Sequence, residues 1–286
     1  MQGGDAQAES GPARQRSVGS VALCVGPAGG PEGPTRILDL AESGPSRLRF
    51  PRMREAELEA VLVNTAGGIA CGDHFRVALD LAENARLVLT TTAAEKIYRS
   101  DGPVSRVENQ VRLGAGARLA WLPQETILFD RARMARRFEA DLAQDASLLV
   151  FEAVAFGRHA RNEAVEQGLF EDVWRVRRGG RLVYADTLRL DGPVAALLAR
   201  AAIGGGARAC ATLLDLSPGA EGRLEEARAR LDAAGAGAPS LEAGASAWNG
   251  HLAVRLLGPE IGALRSLAAR FLAGYRSSPM PRVWQS

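Results

Sequence analysis

The chain has a single lysine, three cysteines, three histidines and 5% aromatic residues among its 286, and each scarcity removes a class of function. Cys24, Cys71 and Cys210 are odd in number and far apart, which excludes a disulfide framework and fits a reducing compartment, so a cytoplasmic protein is expected. A net charge of +2 with so few aromatic rings supplies neither the basic excess nor the stacking platforms of a nucleic-acid binder. No stretch approaches the ~18 consecutive apolar residues of a membrane span. The histidines His159, in GRHARNE, and His251, in WNGHLAV, have no Gly-x-Ser-x-Gly beside them, so no nucleophile with an oriented base emerges. The glycine-rich words TAGG, GAGAR and GGGARA do not continue into a phosphate loop or a dinucleotide fingerprint and read as turns. Residues 1–20, rich in Gly, Ala, Gln and Ser without an apolar segment, read as a disordered tail.

What is present gathers first in residues 61–100. Val61-Leu62-Val63 is a short strand running into Asn64-Thr65-Ala66-Gly67-Gly68, where the chain must turn sharply. A second break, Cys71-Gly72-Asp73, places Asp73 at the entrance of a strand in which Phe75, Val77 and Leu79 alternate with Arg76, Ala78 and Asp80. The β-branched run Leu87–Thr92 then delivers Glu95, the lone Lys96, Tyr98 and Arg99 to its far end.

An internal repeat sets the larger plan. Leu81-AEN-Ala85-Arg86-Leu87 is matched by Leu113-GAG-Ala117-Arg118-Leu119 and by Leu142-AQD-Ala146-Ser147-Leu148, with a weaker copy, Val176-RRG-Gly180-Arg181-Leu182. Each copy is a strand end, a tight turn and a new strand, recurring at roughly thirty residues. Period-two alternation between copies, as in Val107, Val111 and Leu113 against Glu108, Gln110 and Arg112, predicts a mainly β protein. The expectation is a large, many-stranded, mostly antiparallel scaffold with one wet face per strand. Beyond Gly192 alanine, glycine and leucine dominate: helices are expected over Pro193–Ala202, over Arg223–Ala234, and from Pro259 to a stop at Gly274, with strands at Cys210–Leu216 and His251–Leu257. The division expected is a tail at 1–20, a β scaffold over 21–192, and an α+β portion over 193–286 packed on it.

The candidate chemistry is sparse. Cys71-x-x-His74 is half of a metal site, but three cysteines and three histidines cannot supply a second adjacent pair, and the two read as an ordinary cysteine and histidine. Asp73, Glu95, Glu125 and Asp186 lie near strand ends, where each is either paired with a nearby arginine or, as a set, a series of weak oxygen ligands that pass a divalent ion without trapping it. Gln124-Glu125 follows Pro123 as a polar kink, and Leu128 with Phe129 is an apolar knob that is core if buried and partner surface if exposed.

Three separated words, NTAGG with a following GD, then LTTTAAEKIYRS, then WLPQETILFD, resemble the urease accessory protein UreD family, called UreH in some species. The likeness covers most of residues 45–192 and the terminal RVW, and departs where Cys71-Gly72 replaces an expected glycine pair. The resemblance implies a non-catalytic scaffold that binds UreF, which recruits the GTPase UreG, and that contacts apo-urease and offers nickel an internal route, with no tightly bound cofactor. Carried over by motif, Asp73, Glu95 and Asp186 would line or gate that route. Lys96 would hold a carboxylate by ion pairing, and Tyr98, Gln124, Glu125, Leu128 and Phe129 would be structural or at an interface. Two other readings stay open: an interaction module without a metal role, and a hydrolase with the 64–73 turn as an active-site lip.

Overall fold

The computed structural model describes residues 16–51, 57–235, 240–276 and 278–284. Most of the expected tail, residues 1–15, lies outside the described residues, and β1 (Val18–Pro27) already begins at Val18. It is followed by β2 (Thr35–Ser43), β3 (Ser46–Arg49), β4 (Leu58–Asn64), β5 (His74–Leu81) and β6 (Arg86–Thr91). Next come β7 (Glu95–Ile97), β8 (Ser105–Leu113), β9 (Arg118–Leu122), β10 (Thr126–Leu128), β11 (Arg133–Leu142) and β12 (Ser147–Phe156). The chain ends through β13 (Gly168–Arg178), β14 (Arg181–Gly192), α1 (Val194–Leu198), β15 (Ala209–Asp215), α2 (Leu224–Gly235), β16 (Glu242–Trp248), β17 (His251–Gly258) and α3 (Ile261–Tyr275).

The repeat is real, but its turns do something other than make hairpins. Each tight turn carries the chain from one sheet to the facing one: β5 to β6, β8 to β9, β11 to β12. A longer loop returns it one strand further along, so successive coils stack and their strands run parallel. β1, β5, β8, β11 and β13 form the parallel centre of a seven-stranded sheet, and β4, β6, β9 and β12 that of a ten-stranded one. The antiparallel expectation is thus corrected for the centre. It holds only at the margins, in β1–β2, β3–β4, β13–β14 and β12–β15–β17–β16. The period-two pattern is the same for either direction, which is why the repeat alone does not separate them.

Stacked coils put like on like. Leu81, Leu113 and Leu142 form one buried column, Ala85, Ala117 and Ala146 a second, and Leu87, Leu119 and Leu148 a third. Each buried leucine contributes about 1.5–3 kcal/mol. Main-chain bonds from Gly114 N to Leu81 O (2.8 Å) and from Ala143 N to Leu113 O (2.9 Å) lock the turns together. The weak copy is the exception. Gly179 and Gly180, at φ 55° and 78°, form a two-residue loop that keeps the chain in one sheet as the β13–β14 hairpin. Arg178 then finishes the stack: its guanidinium donates to the carbonyls of Ala143, Gln144, Ala146 and Leu216.

The two sheets differ on their outer faces. That of the seven-stranded sheet is wet, and its charges form ladders: Asp80, Arg112, Asp141 and Arg177 lie in register on successive parallel strands. That of the ten-stranded sheet is covered by α2 and α3, whose Leu231, Leu264, Leu267 and Phe271 pack on Phe151, Ala153, Leu213 and Val254. The helix opening at Pro193 is shorter than expected, stopping at Leu198 ahead of Gly204-Gly205-Gly206, and α3 runs past Gly274 to Tyr275. β15 and β17 extend the large sheet, so the C-terminal part is continuous with the scaffold. Among the described residues no helix is long and apolar enough to cross a membrane.

Candidate functional site

The interior of a stacked β scaffold is ordinarily apolar. Here a row of polar side chains crosses it. Arg136 of β11, Asp172 of β13 and Glu152 of β12 are all buried, in the inward phase of Phe138, Trp174 and Val150. The Arg136 guanidinium donates through Nε to Asp172 Oδ1 (3.0 Å), through Nη2 to Asp172 Oδ2 (2.6 Å), and through Nη1 to Glu152 Oε2 (2.5 Å). Trp121 Nε1 donates to the other Glu152 oxygen at 2.9 Å. One fixed cation therefore faces two carboxylates out of water. Burial pushes Glu152 up from the ordinary carboxylate range against the pull of Arg136.

The row continues in both directions. Toward the 64–73 turn, Arg136 Nη1 reaches Thr126 Oγ1 at 3.4 Å, Thr126 pairs in register with Glu95, and Asn64 Nδ2 donates to Glu95 Oε1 at 3.1 Å. Burial raises Glu95 from 4.5 to about 7, opposed by the Asn64 bond and the nearby Lys96 charge. Toward the other margin, half-buried Cys210 feels Asp172, Arg136 and Arg255, and burial followed by the Asp172 charge pushes its thiol up to about 12. Arg255 of β17 then binds Asp186 of β14, beside the buried Tyr184. Asn64, Glu95, Thr126, Arg136, Glu152 and Asp172 thus form one lateral series between the sheets, with the more exposed Arg255–Asp186 pair at its far margin.

The residues expected from sequence fall into three groups. Glu95 and Asp186 stand near opposite ends of the row. Asp73 does not join it: its Oδ1 accepts from Ser17 N (2.7 Å) and its Oδ2 from Ala70 N (2.8 Å), so the buried carboxylate ties the 70–73 turn to the start of β1. The rest build the wall. Lys96 is exposed and among the described residues forms no ion pair, contrary to the expected carboxylate partner. Tyr98 stacks edge-on against Phe129 (5.0 Å) and donates to Gly67 O at 3.2 Å, covering Gly68, where a Cβ would lie 2.5 Å from the tyrosine ring.

Gln124 is a clamp between scaffold and C-terminus. Its Nε2 donates to Val283 O (3.2 Å), and its Oε1 accepts from Arg265 Nε (2.9 Å). Glu125 lies 3.7 Å from the same arginine. Leu128 is core, 1% exposed, so a surface role for it is corrected, while Phe129 is half-buried under the Arg158 guanidinium, 4.1 Å from the ring centroid. Cys71 and His74 point apart: Cys71 Sγ donates to Asp101 Oδ1 at 3.1 Å, and His74 Nε2 sits 3.1 Å from Glu108 Oε2. Among the described residues no three or more His, Cys, Asp or Glu side chains come together as a set able to hold a metal ion.

Arg136, Glu152 and Asp172, the centre of the row, escaped the sequence reading although a signal was there. In the alternating strands Met134-x-Arg136-x-Phe138, Val150-x-Glu152 and Phe170-x-Asp172-x-Trp174, each charged residue occupies an apolar phase. Asn109, buried between Val107 and Val111 in β8, is a fourth such position.

Comparison with known proteins gives one answer. Residues 17–285 match the family model described as UreD urease accessory protein. The chain is 71% identical over 275 residues to "Urease accessory protein UreD 1" of Methylobacterium radiotolerans, covering 96% of this chain and 94% of that protein. It is 55% identical to the UreD of Xanthobacter autotrophicus (95% and 91% covered), and 46% identical to that of Rhodopseudomonas palustris strain CGA009 (96% and 95%).

Proposed function

Because the chain belongs to the UreD family of urease accessory proteins, we propose that it is a non-catalytic scaffold of urease maturation that handles nickel in transit. In this reading it binds UreF, recruits the GTPase UreG through it, and assists nickel insertion into apo-urease. The observation that supports the reading is the interior row. Replacing a buried ion-pair triad by apolar packing is often neutral or stabilising, so stability alone gives two carboxylates and one guanidinium little reason to be there. A transfer path does give one. Carboxylate oxygens spaced along a row offer an ion successive weak sites, whereas a clustered thiolate and imidazole set would retain it.

The acids assigned to the path are Glu95, Glu152, Asp172 and Asp186. Arg136 keeps the central two apart from one another's charge and prevents their collapse onto a single tight site. Asp73 holds the turn beside the Glu95 end. Reconstitution with the UreF homologue, UreG, apo-urease, nickel and GTP tests this. Activation is expected to require this chain, and Glu152→Gln, which leaves Asp172 to pair with Arg136, to lower activation about tenfold or more with UreF binding retained and the melting temperature lowered. Full activation by that variant together with Asp172→Asn would leave an interaction module without a metal role. Turnover by the isolated chain would revive the hydrolase reading. Asp73→Ala is expected to lower activation and melting temperature together, since two main-chain N–H groups lose their acceptor.

A further inference from the structure

Among the described residues no strand pairs with the outer edge of β2, nine residues at one margin of the seven-stranded sheet. Four of the eight exposed large hydrophobic side chains among the described residues lie there or beside it: Val18, Ile37 (40%), Leu38 (61%) and Leu40 (37%). Sheet edges are usually guarded by shortness, charge or proline. Two of the other three margins comply: β3 has four residues, and β14 carries Arg181, Asp186, Arg189 and Asp191, while β16 is built mostly of small residues. β2 has neither lysine nor proline; its guards are the charges of Arg36, Asp39 and Glu42 and a bulge opposite Cys24 and Val25, and between those charges it exposes Ile37, Leu38 and Leu40.

The charge ladder on the outer face also fails at this margin. The rung Asp80–Arg112–Asp141–Arg177 continues across β1 and β2 as Cys24 and Asp39. A thiol therefore stands between two acids, where alternation calls for a cation. Neither Asp39 nor Asp80 has an ion pair or side-chain hydrogen bond among the described residues, and both line, with Cys24, a shallow cleft of about 190 Å³. Burial, then Asp80 and Asp39, push the Cys24 thiol up.

We propose that β2 is a docking edge for an extended segment of another protein, which adds as a strand and places basic side chains over Asp39 and apolar ones beside Ile37 and Leu40. The phase follows from the register. Ile37 and Leu40 lie opposite Val25 and Leu23, which face the interior, and Asp39 lies opposite Cys24, which faces out. Main-chain bonds along the outer edge of β2 supply affinity, and the alternating side chains supply selectivity. A second copy of β2 is a poor occupant, because the strand offers one base, Arg36, against two acids, Asp39 and Glu42.

The inference is independent of any nickel route and is tested on the full chain alone. The probe is a synthetic peptide of about eight residues alternating arginine and valine, with a glutamate–valine peptide as control. The arginine peptide is expected to bind and to slow hydrogen exchange of the amides of residues 35–43, and the control is not. Asp39→Asn should weaken binding about threefold, and Leu40→Glu should abolish the exchange protection, each with an unchanged melting temperature. No binding of the arginine peptide, equal binding of the control, unaltered binding by both variants, or protection confined to other strands would overturn the proposal.

Discussion

Glu95 is the residue whose ionisation the fold resists most visibly. Its folded value of about 7 lies above the ordinary 4.5 because burial disfavours the charged form. Between those values the folded protein holds a proton that the unfolded chain has released. Stability is therefore greatest below the unfolded value and falls as pH rises through the folded one, at up to about 1.4 kcal/mol per pH unit. The melting temperature is expected to drop more steeply from pH ~5 to ~8 in the wild type than in Glu95→Gln; parallel curves would remove Glu95 from the buried row. Its position was legible from the LTTTAAEKIYRS word, as was Asp186 from YADTLRL. The central triad was not picked out, since Glu152 sits inside the apolar run LLVFEAV and Asp172 beside the acid Glu171, and only the phase of each strand marks them as inward.

Among the elements, the repeated turn carries most of the architecture, and three copies of one short pattern announced it. What the pattern withheld was direction. A five-residue step between strands serves either a hairpin or a crossing to the facing sheet, and the choice is made by the stacking of alanine columns, which is a contact between coils distant in sequence. The fourth copy shows the alternative, with its glycine pair, and it is there that Arg178 satisfies the carbonyls left over by the last coil. Arg178→Ala is expected to destabilise by about 2–3 kcal/mol, because acceptors in a partly buried turn lose a charged donor. Chemical denaturation checks the magnitude. Faster hydrogen exchange around residues 143–146 would show that the loss is local to the cap.

For the molecule as a whole, the C-terminus is the fastening between the helical layer and the scaffold. Trp284 Nε1 donates to Leu122 O (3.0 Å), its ring packs 5.5 Å from Phe151, and the Arg265 guanidinium lies 5.5 Å from it. Trp284→Ala is expected to cost about 3–5 kcal/mol; a loss well under 1 kcal/mol would mean that α3 is held by its own apolar face alone. The terminal RVW matched the family words but gave no sign of this partner, which is 162 positions away in sequence. The coil plan has one more consequence. Because each coil brings the chain back to the same phase one strand spacing further on, the distance between the Glu95 and Asp186 ends of the interior row is quantised: a protein with one coil more or fewer would keep every inward and outward face and change that span by about 4.8 Å. The scaffold is in this sense a ruler, marked off in strands, that fixes how far apart the two ends of the row stand.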